Sequence, residues 1–414
     1  MSKYKLGEVC EFINGGAWSD KEYVFSGIPV LKVSNCKNSG FVLDELDYLP
    51  EESREKYSKN ELKKDDVIIA TVGSHPNLKE SAAGRSCVVN DSVAGFFLNQ
   101  NAVCIRSINT SIVDQKYLGY LASSFPFQHY IQMRGRGAAN QMRIAIGSIK
   151  EYEHSFPDIK KQRRITSILS SYDALIENNQ KQIKLLEEAA QRLYKEWFID
   201  LRFPGYETTP VHDGVPDGWE RKAFSAVFSY VRGRSYSSKE LSDDGILMAN
   251  LKNIRAFGGY NRGAEKRYIG DYKESQLLSA GDIIMGVTDM TQERRLVGHV
   301  AVVPDVKEPM IFSMDLIKLI PITCPKSYLY SALQFGGLSG RISPLANGVN
   351  VLHLKPEAMM NLNMVVPDET TMLKYDEAFS AYQSRIEILQ NQSAVAEEAR
   401  DRLLPKLMSE EIEV

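Results

Sequence analysis

The sequence is poor in the residue patterns that usually announce chemistry. It has five cysteines, Cys10, Cys36, Cys87, Cys104 and Cys324, and no C-x-x-C pair. That argues against a zinc module and a disulfide framework and leaves reduced, mostly buried thiols. The six histidines, at 75, 129, 154, 212, 299 and 353, show no metal-ligand spacing. No apolar run approaches the roughly 18 residues a membrane helix needs, and the stretch Met1 to Cys10 is polar and charged rather than signal-like. A cytoplasmic protein with no membrane partner is expected. There is no Gly-x-x-x-x-Gly-Lys-Ser/Thr loop, so ATP hydrolysis is not encoded. Nor is there an Asn-Pro-Pro-Tyr segment of the kind associated with amino-methyltransferases. Pro216-Asp-Gly-Trp-Glu220-Arg-Lys222 has the letters of a nuclease metal motif, but so short a spacing makes a turn, not a pair of strands holding one ion. No catalytic residue, metal ligand or cofactor is expected.

A basic excess is missing too: the net charge is -3, against the usual habit of nucleic-acid binders. The distribution carries more information than the sum. No acidic residue occurs from Gln115 to Lys150, where Lys116, Arg134, Arg136, Arg143 and Lys150 stand, nor from Leu316 to Pro356, where Lys318, Lys326, Arg341 and Lys355 stand. Local positive potential can coexist with a neutral total. A hydrophobic share of 43% and a charged share of 25% describe an ordinary folded protein, and 414 residues leave room for two to three domains.

What is present is a long internal repeat. Gly27-Ile-Pro-Val-Leu-Lys-Val-Ser-Asn35 aligns with Gly245-Ile-Leu-Met-Ala-Asn-Leu-Lys-Asn253 at an offset of 218, and Val9, Phe12, Ile13 and Gly15 meet Val227, Tyr230, Val231 and Gly233 at the same offset. Asp66-Val-Ile-Ile meets Asp282-Ile-Ile-Met at 216, Ala139-Asn140 meets Ala346-Asn347 and Ile144 meets Val351 at 207, and Pro157-Asp158 meets Pro367-Asp368 at 210. Glu187-Glu188-Ala189 and Glu397-Glu398-Ala399, then Arg192-Leu193 and Arg402-Leu403, keep 210 without a gap.

Each repeat reads as a globular part of short strands and some helix followed by one long helix. Val67 to Val72, Ala102 to Ile105, Asp282 to Val287 and Gly298 to Val303 read as strands. From Ile159 to Phe198, Ile165, Ile168, Tyr172, Ile176, Ile183, Leu186, Ala190, Leu193 and Trp197 recur at helical spacing with no proline or glycine, a rod of roughly 60 Å. Its twin, roughly 369 to 404, carries Ala378, Tyr382, Ile386, Leu389, Ala396 and Leu403 and is expected to end at Pro405. The two should pack as an antiparallel pair. Asn179 falls in the stripe where the twin has Leu389; it is either a tolerated, partly exposed polar residue or a register-setter. The breaker-rich stretch from Phe203-Pro-Gly-Tyr206 to Pro216-Asp-Gly-Trp219 marks a boundary. The expected fold is α+β with a pseudo-two-fold repeat: two recognition domains, 1–156 and 220–366, separated by two long antiparallel coiled-coil helices at 157–202 and 367–414, with a linker at 203–219.

The opening Lys5-Leu-Gly-Glu-Val-Cys-Glu-Phe-Ile-Asn-Gly-Gly16, the Pro216-Asp-Gly-Trp219 entry, the Gly281-Asp-Ile-Ile284 strand and Gln180-x-x-Ile-x-x-Leu186, in this order and duplicated, resemble the specificity subunits of type I restriction-modification systems over essentially the whole chain. One departure is Ala223-Phe-Ser-Ala-Val227, which lacks the Leu-Gly-Glu-Val form and leaves that strand start open. The resemblance implies two target-recognition domains that read an asymmetric bipartite site on double-stranded DNA, and helices that set the spacing and dock two methyltransferase subunits, with restriction subunits joining through the complex. It implies no catalysis here. The alternatives are a helical scaffold that never touches DNA and a free-standing methyltransferase or nuclease; the duplicated acid-free windows disfavour the first and the missing motifs the second.

Base reading needs Arg, Lys, Asn or Gln on loops that reach a groove. One such loop per repeat follows the Asp66 or Asp282 strand: His75, Asn77 and Lys79 in the first, Thr291, Gln292, Arg294 and Arg295 in the second. Another lies in each acid-free window: Arg134, Arg136, Asn140, Gln141 and Arg143, then Arg341, Asn347 and Asn350. Gly135 and Gly137 beside Arg136 suit close approach of backbone to phosphate. Arg232 and Arg234, with Lys252, Arg255, Arg262, Lys266 and Arg267, form a further basic cluster suited to phosphate contact or to solubility.

Overall fold

The structure, a computed structural model, describes residues 2–37, 40–43, 46–74, 83–138 and 141–414. It divides into two units: residues 1–177 with 393–414, and residues 178–392. Among the described residues no helix is long and apolar enough to cross a membrane.

In the first unit, Cys10–Asn14, Ala102–Ser107, Val67–Ala70 and Ser86–Val88 form an antiparallel sheet in that order. The second unit repeats it with Phe228–Arg232, Leu316–Pro321, Ile283–Gly286 and Val300–Val302. Each sheet is flanked by a parallel strand pair, Ile28–Leu31 with Phe97–Leu98 and Leu241–Ala249 with Met310–Phe312. The strand start left open in the second repeat is resolved: Leu6–Val9 and Phe224–Val227 are equivalent single helical turns, with Leu6, Val9, Phe224 and Val227 all buried. Gly15 and Gly233 are glycine for one shared reason, since a Cβ at either would lie 1.9 Å from a backbone oxygen, of Asn99 or Ser313.

The matching aspartates brace the central strand of each sheet. Asp66 is 2% exposed and accepts two 2.7 Å bonds from Arg106, on Oδ1 from Nε and on Oδ2 from Nη2. Asp282 instead receives Lys326 at 2.7 Å, with Lys318 3.8 Å away.

The first long helix runs from Ile159 to Tyr194 and continues as a π-helical turn over Lys195–Ile199. The second spans Glu369–Met408. It therefore does not end at Pro405: the last turn continues and buries Leu407, and Ser409 N bonds back to the Pro405 carbonyl. Packing outweighs the proline penalty so close to the terminus. Asp158 caps the first helix by accepting from the N–H groups of Lys160 and Lys161, and Asp368 caps the second by accepting from Thr371. Within the first unit Lys161 meets Glu410 at 3.2 Å and Asp173 meets Arg400 at 2.8 Å, so the two helical segments run antiparallel. Within the second, Asn179 is 2% exposed and its Nδ2 donates to the Leu389 carbonyl at 3.4 Å. That favours the register-setting reading, because a buried amide tolerates only alignments that give it a partner.

Both cores include the end of a long helix. Tyr194, Met372, Tyr375 and Phe379 join Phe224, Val227 and Leu329 in the second unit, and Ile165, Leu169 and Leu407 join Leu6, Val9 and Tyr117 in the first. His154 sits in that first core with its Nε2 3.0 Å from the Tyr117 hydroxyl. Burial pushes its pKa down to about 4, opposed by the Glu410 carboxylate. The native state therefore holds His154 neutral while the unfolded chain protonates it near 6.5. Its contribution is complete above pH 6.5 and is lost as pH falls towards 4, about 3 kcal/mol in all. Denaturant titrations from pH 7 to 4.5 should show this loss, and His154→Gln should flatten it; an unchanged pH slope in the variant contradicts the assignment.

Candidate nucleic-acid interface

In the first unit the strand Val67–Ala70 leads into Val72–Gly73, which pairs with Gln141–Arg143, which pairs in turn with Arg136–Ala138. The acid-free window is thus built into a small sheet and is not a loose loop. Met142 is buried beneath it. Arg136 lies directly opposite Arg143, and both are exposed. Two like charges at facing positions repel, and among the described residues neither has an ion-pair partner; the same holds for Lys116, Arg134 and Lys150. Arg134 is fixed differently: its guanidinium carbon sits 3.4 Å from the Tyr130 ring centroid and Nη1 donates to the Tyr130 carbonyl. Gly135 has a local cause besides backbone approach, since a Cβ there would fall 2.4 Å from the Met142 sulfur; Gly137, at φ 141, does adopt a backbone that favours glycine. His75, Asn77, Lys79 and Asn140 lie outside the described residues, as does the side chain of Gln141.

The second unit builds the same frame. Thr288–Asp289 pairs with Leu352–His353 as Val72–Gly73 pairs with Gln141–Arg143, and Asn347 bridges to His353 as Arg136 pairs with Arg143. Ile144 N bonds to the Thr71 carbonyl and Leu354 N to the Val287 carbonyl. The counterpart of Ile144 is therefore Leu354, not Val351: the offset here is 210, and the hairpins differ by one residue in length. This correction brings out His353, exposed at the position of Arg143. The 210 offset of the flanking helix was the available signal for it.

The buried carboxylate of Asp289 organises the turn. Its Oδ1 accepts from the Thr291 N–H at 2.9 Å and hydroxyl at 2.8 Å, and its Oδ2 accepts from Leu296 N at 2.6 Å and Val297 N at 3.2 Å. Burial alone would raise its pKa, but these donors hold it below the usual value. Thr291 thereby commits its hydroxyl proton to the turn. Gln292 Nε2 donates to the Val349 carbonyl at 2.8 Å, joining the two sequence-identified segments of this unit. Arg294 and Arg295 follow on the same turn, while Asn347 and Asn350 are exposed in the facing segment. Met290 and Val349 are 76% and 88% exposed beside them.

Other expected residues are tied elsewhere. Arg341 donates to the Asn363 carbonyl at 2.8 Å, on the strand that leads into the second long helix. Arg232 pairs with Glu357 at 2.6 Å, whose carboxyl is held at about 2 by the Tyr230 hydroxyl and by Arg232 itself. Arg234 Nε donates to the Tyr268 hydroxyl. Lys318 and Lys326 face Asp282, which comes from outside the window. The second acid-free window is consequently less positive in space than in sequence.

Residues 1–188 match the family described as the type I restriction modification DNA specificity domain. The MjaIX type I restriction enzyme specificity subunit of Methanocaldococcus jannaschii is 26% identical over 314 residues, 73% of this chain and 70% of that one. The HindI specificity subunit of Haemophilus influenzae is 18% identical over 481 residues, 99% of both chains. The first 188 residues thus carry that family's domain, and the chain as a whole is similar to type I specificity subunits. The fold agrees: the crystal structure of the type I restriction-modification S subunit from M. genitalium covers 98% of this chain at a TM-score of 0.58 and 14% identity. Two mixed α+β units with long helices agree with that fold.

If the chain reads DNA as its relatives' names imply, the facing arginines give a test with two opposite signs. Arg136→Ala should lower the slope of log affinity against log salt by about 0.9, one phosphate contact, and should raise stability by a few tenths of a kcal/mol by removing the repulsion. Arg134→Ala should lower the slope alike. Arg143→Ala should cost roughly 1 to 3 kcal/mol on the proper site and leave random DNA almost unaffected. If all three leave affinity and slope unchanged, this sheet is not in contact with DNA.

Proposed function

We propose that this chain is the non-catalytic, sequence-reading subunit of a type I restriction-modification complex, binding an asymmetric bipartite site on double-stranded DNA. The observation that carries this reading is one strand frame built twice with different side chains: Arg136 opposite Arg143 in one unit, Asn347 opposite His353 in the other. A shared frame with unlike side chains suits two readers of unlike half-sites. Residues 1–156 and 220–366 are the readers, 203–219 the linker, and the helical stretches 157–202 and 367–414 the spacers. The reading residues are the exposed ones on the frame, Arg134, Arg136, Arg143, Gln292, Asn347, Asn350 and His353, with His75, Asn77, Lys79, Asn140 and Gln141 on the adjoining segments. The complex works on DNA in the cytoplasm.

Docking of two methyltransferase subunits, and of restriction subunits through them, is supported by the long helices. Leu185 and Val395 are 63% and 67% exposed, and the 210 offset makes them counterparts. Matching exposed side chains on the two helices would give two copies of one partner equivalent contact points.

Exchanging 220–366 for the matching domain of a relative tests the reading. Sequencing of methylated DNA from cells that also carry the methyltransferase partner should show one half-site changed and the other retained. The donor domain must keep an aromatic at Tyr328, which packs against Phe198 at 4.9 Å between ring centroids. Change in both half-sites, or in neither, overturns the two-reader proposal.

A further inference from the structure

Phe257 is the residue in the second unit that the fold treats worst. It is 59% exposed, so its ring gains little from burial, and its φ of 63° is a left-handed backbone that costs a bulky side chain energy. Glycine follows it at 258 and 259, so the chain has flexible residues at hand and still holds a phenylalanine in the strained place. The strain is fixed from three sides. Phe257 N donates to the Arg295 carbonyl at 2.8 Å, Gln334 Nε2 donates to the Phe257 carbonyl at 2.9 Å, and the His299 ring stands edge-on to the Phe257 ring at 5.6 Å between centroids. Arg294, in the same turn, is also left-handed, at φ 54. Two strained residues meet where the turn organised by Asp289 returns to the sheet.

We propose that Phe257 is a base-contacting residue of the second reader, stacking on or wedging against a base of the half-site that Gln292, Asn347 and His353 face. The inference rests on the DNA-reading function proposed above. The chemistry favours a nucleic acid over a protein patch. The ring is presented on a fixed turn whose Phe257 N bonds to the Arg295 carbonyl, next to Arg294, with Arg255 two residues before it in the loop. An exposed aromatic ring on a loop and turn that also carry Arg255, Arg294 and Arg295 matches a π-faced base beside phosphates.

The test uses the full chain assembled with its methyltransferase partner. A randomised duplex library first defines the bound site, and 2-aminopurine is then placed at each position of the second half-site in turn. Phe257→Asn removes the ring but suits the left-handed backbone, so the fold is kept; Phe257→Tyr retains the ring. The expected result is about tenfold to a hundredfold weaker binding of the defined site by Phe257→Asn, random duplex bound within about twofold, and one 2-aminopurine position whose fluorescence change on binding is lost in Phe257→Asn and restored in Phe257→Tyr. Unchanged site affinity and fluorescence with Phe257→Asn overturn the proposal while leaving the DNA-reading function intact. Weaker assembly with the methyltransferase and unaltered DNA binding overturn it in favour of a protein contact. Failure of the wild-type complex to select any duplex overturns both.

Discussion

The readers depend on helix ends that arrive from far away in sequence. In the second unit Tyr194 lies within 6.4 Å, centroid to centroid, of Tyr328, Phe335 and Tyr375, and in the first Leu407 fills the core beside Ile165 and Leu169. Each large apolar side chain buried in this way contributes roughly 2 to 3 kcal/mol, a considerable share of the stability of a domain of this size. The reading frame of each unit is therefore held by the same helices that carry the exposed pair Leu185 and Val395. Change in a helix end reaches the reader through packing before it reaches any partner. The π-helical turn at Lys195–Ile199 fits this role: one extra residue in the turn re-aims Trp197 and Phe198 into the aromatic cluster.

On a common frame the two readers solve different electrostatic problems. The first presents arginines with no carboxylate partner among the described residues, so on the proposed reading its attraction to DNA would be steep in salt. The second spends its charges internally: Arg232 on Glu357, and Lys318 and Lys326 on Asp282. Also exposed on its frame are Gln292, Asn347, Asn350 and His353 together with Met290, Val349 and Phe257. On the proposed reading, that set would discriminate by hydrogen-bond geometry and apolar contact more than by charge. Unequal division of affinity and discrimination between two readers suits an asymmetric site.

Much of this was legible because duplication is robust to local error. The repeat, the two long helices and the central strands follow from pattern alone. The misses have specific causes. Matching Ile144 to Val351 failed because hairpin loops drift in length while the strands beneath them do not. Pro405 was read as a stop because local propensity says nothing of the core awaiting Leu407. The second acid-free window misled because Asp282 comes from outside it in sequence and sits against its lysines in space. Phe257 left no trace at all: Phe-Gly-Gly reads as a turn in which glycine supplies the unusual backbone, and only the structure shows that phenylalanine takes part of it.

Stability and reading pull in opposite directions at the same atoms. Arg136 facing Arg143 repels, Phe257 is strained and half in water, and Met290 and Val349 are left exposed; each lowers the stability of the free protein. None sits on an undefended element. The arginine sheet hangs from the strand braced by Asp66 and Arg106, and Phe257 hangs from the turn that Asp289 holds with four hydrogen bonds. Buried carboxylates with full sets of donors are costly to break, so the frame keeps its shape while its outer face stays unfavourable in water. A surface so arranged gains from a partner that supplies negative charge and, once a base is unstacked, a flat apolar face; on the proposed reading that partner is DNA.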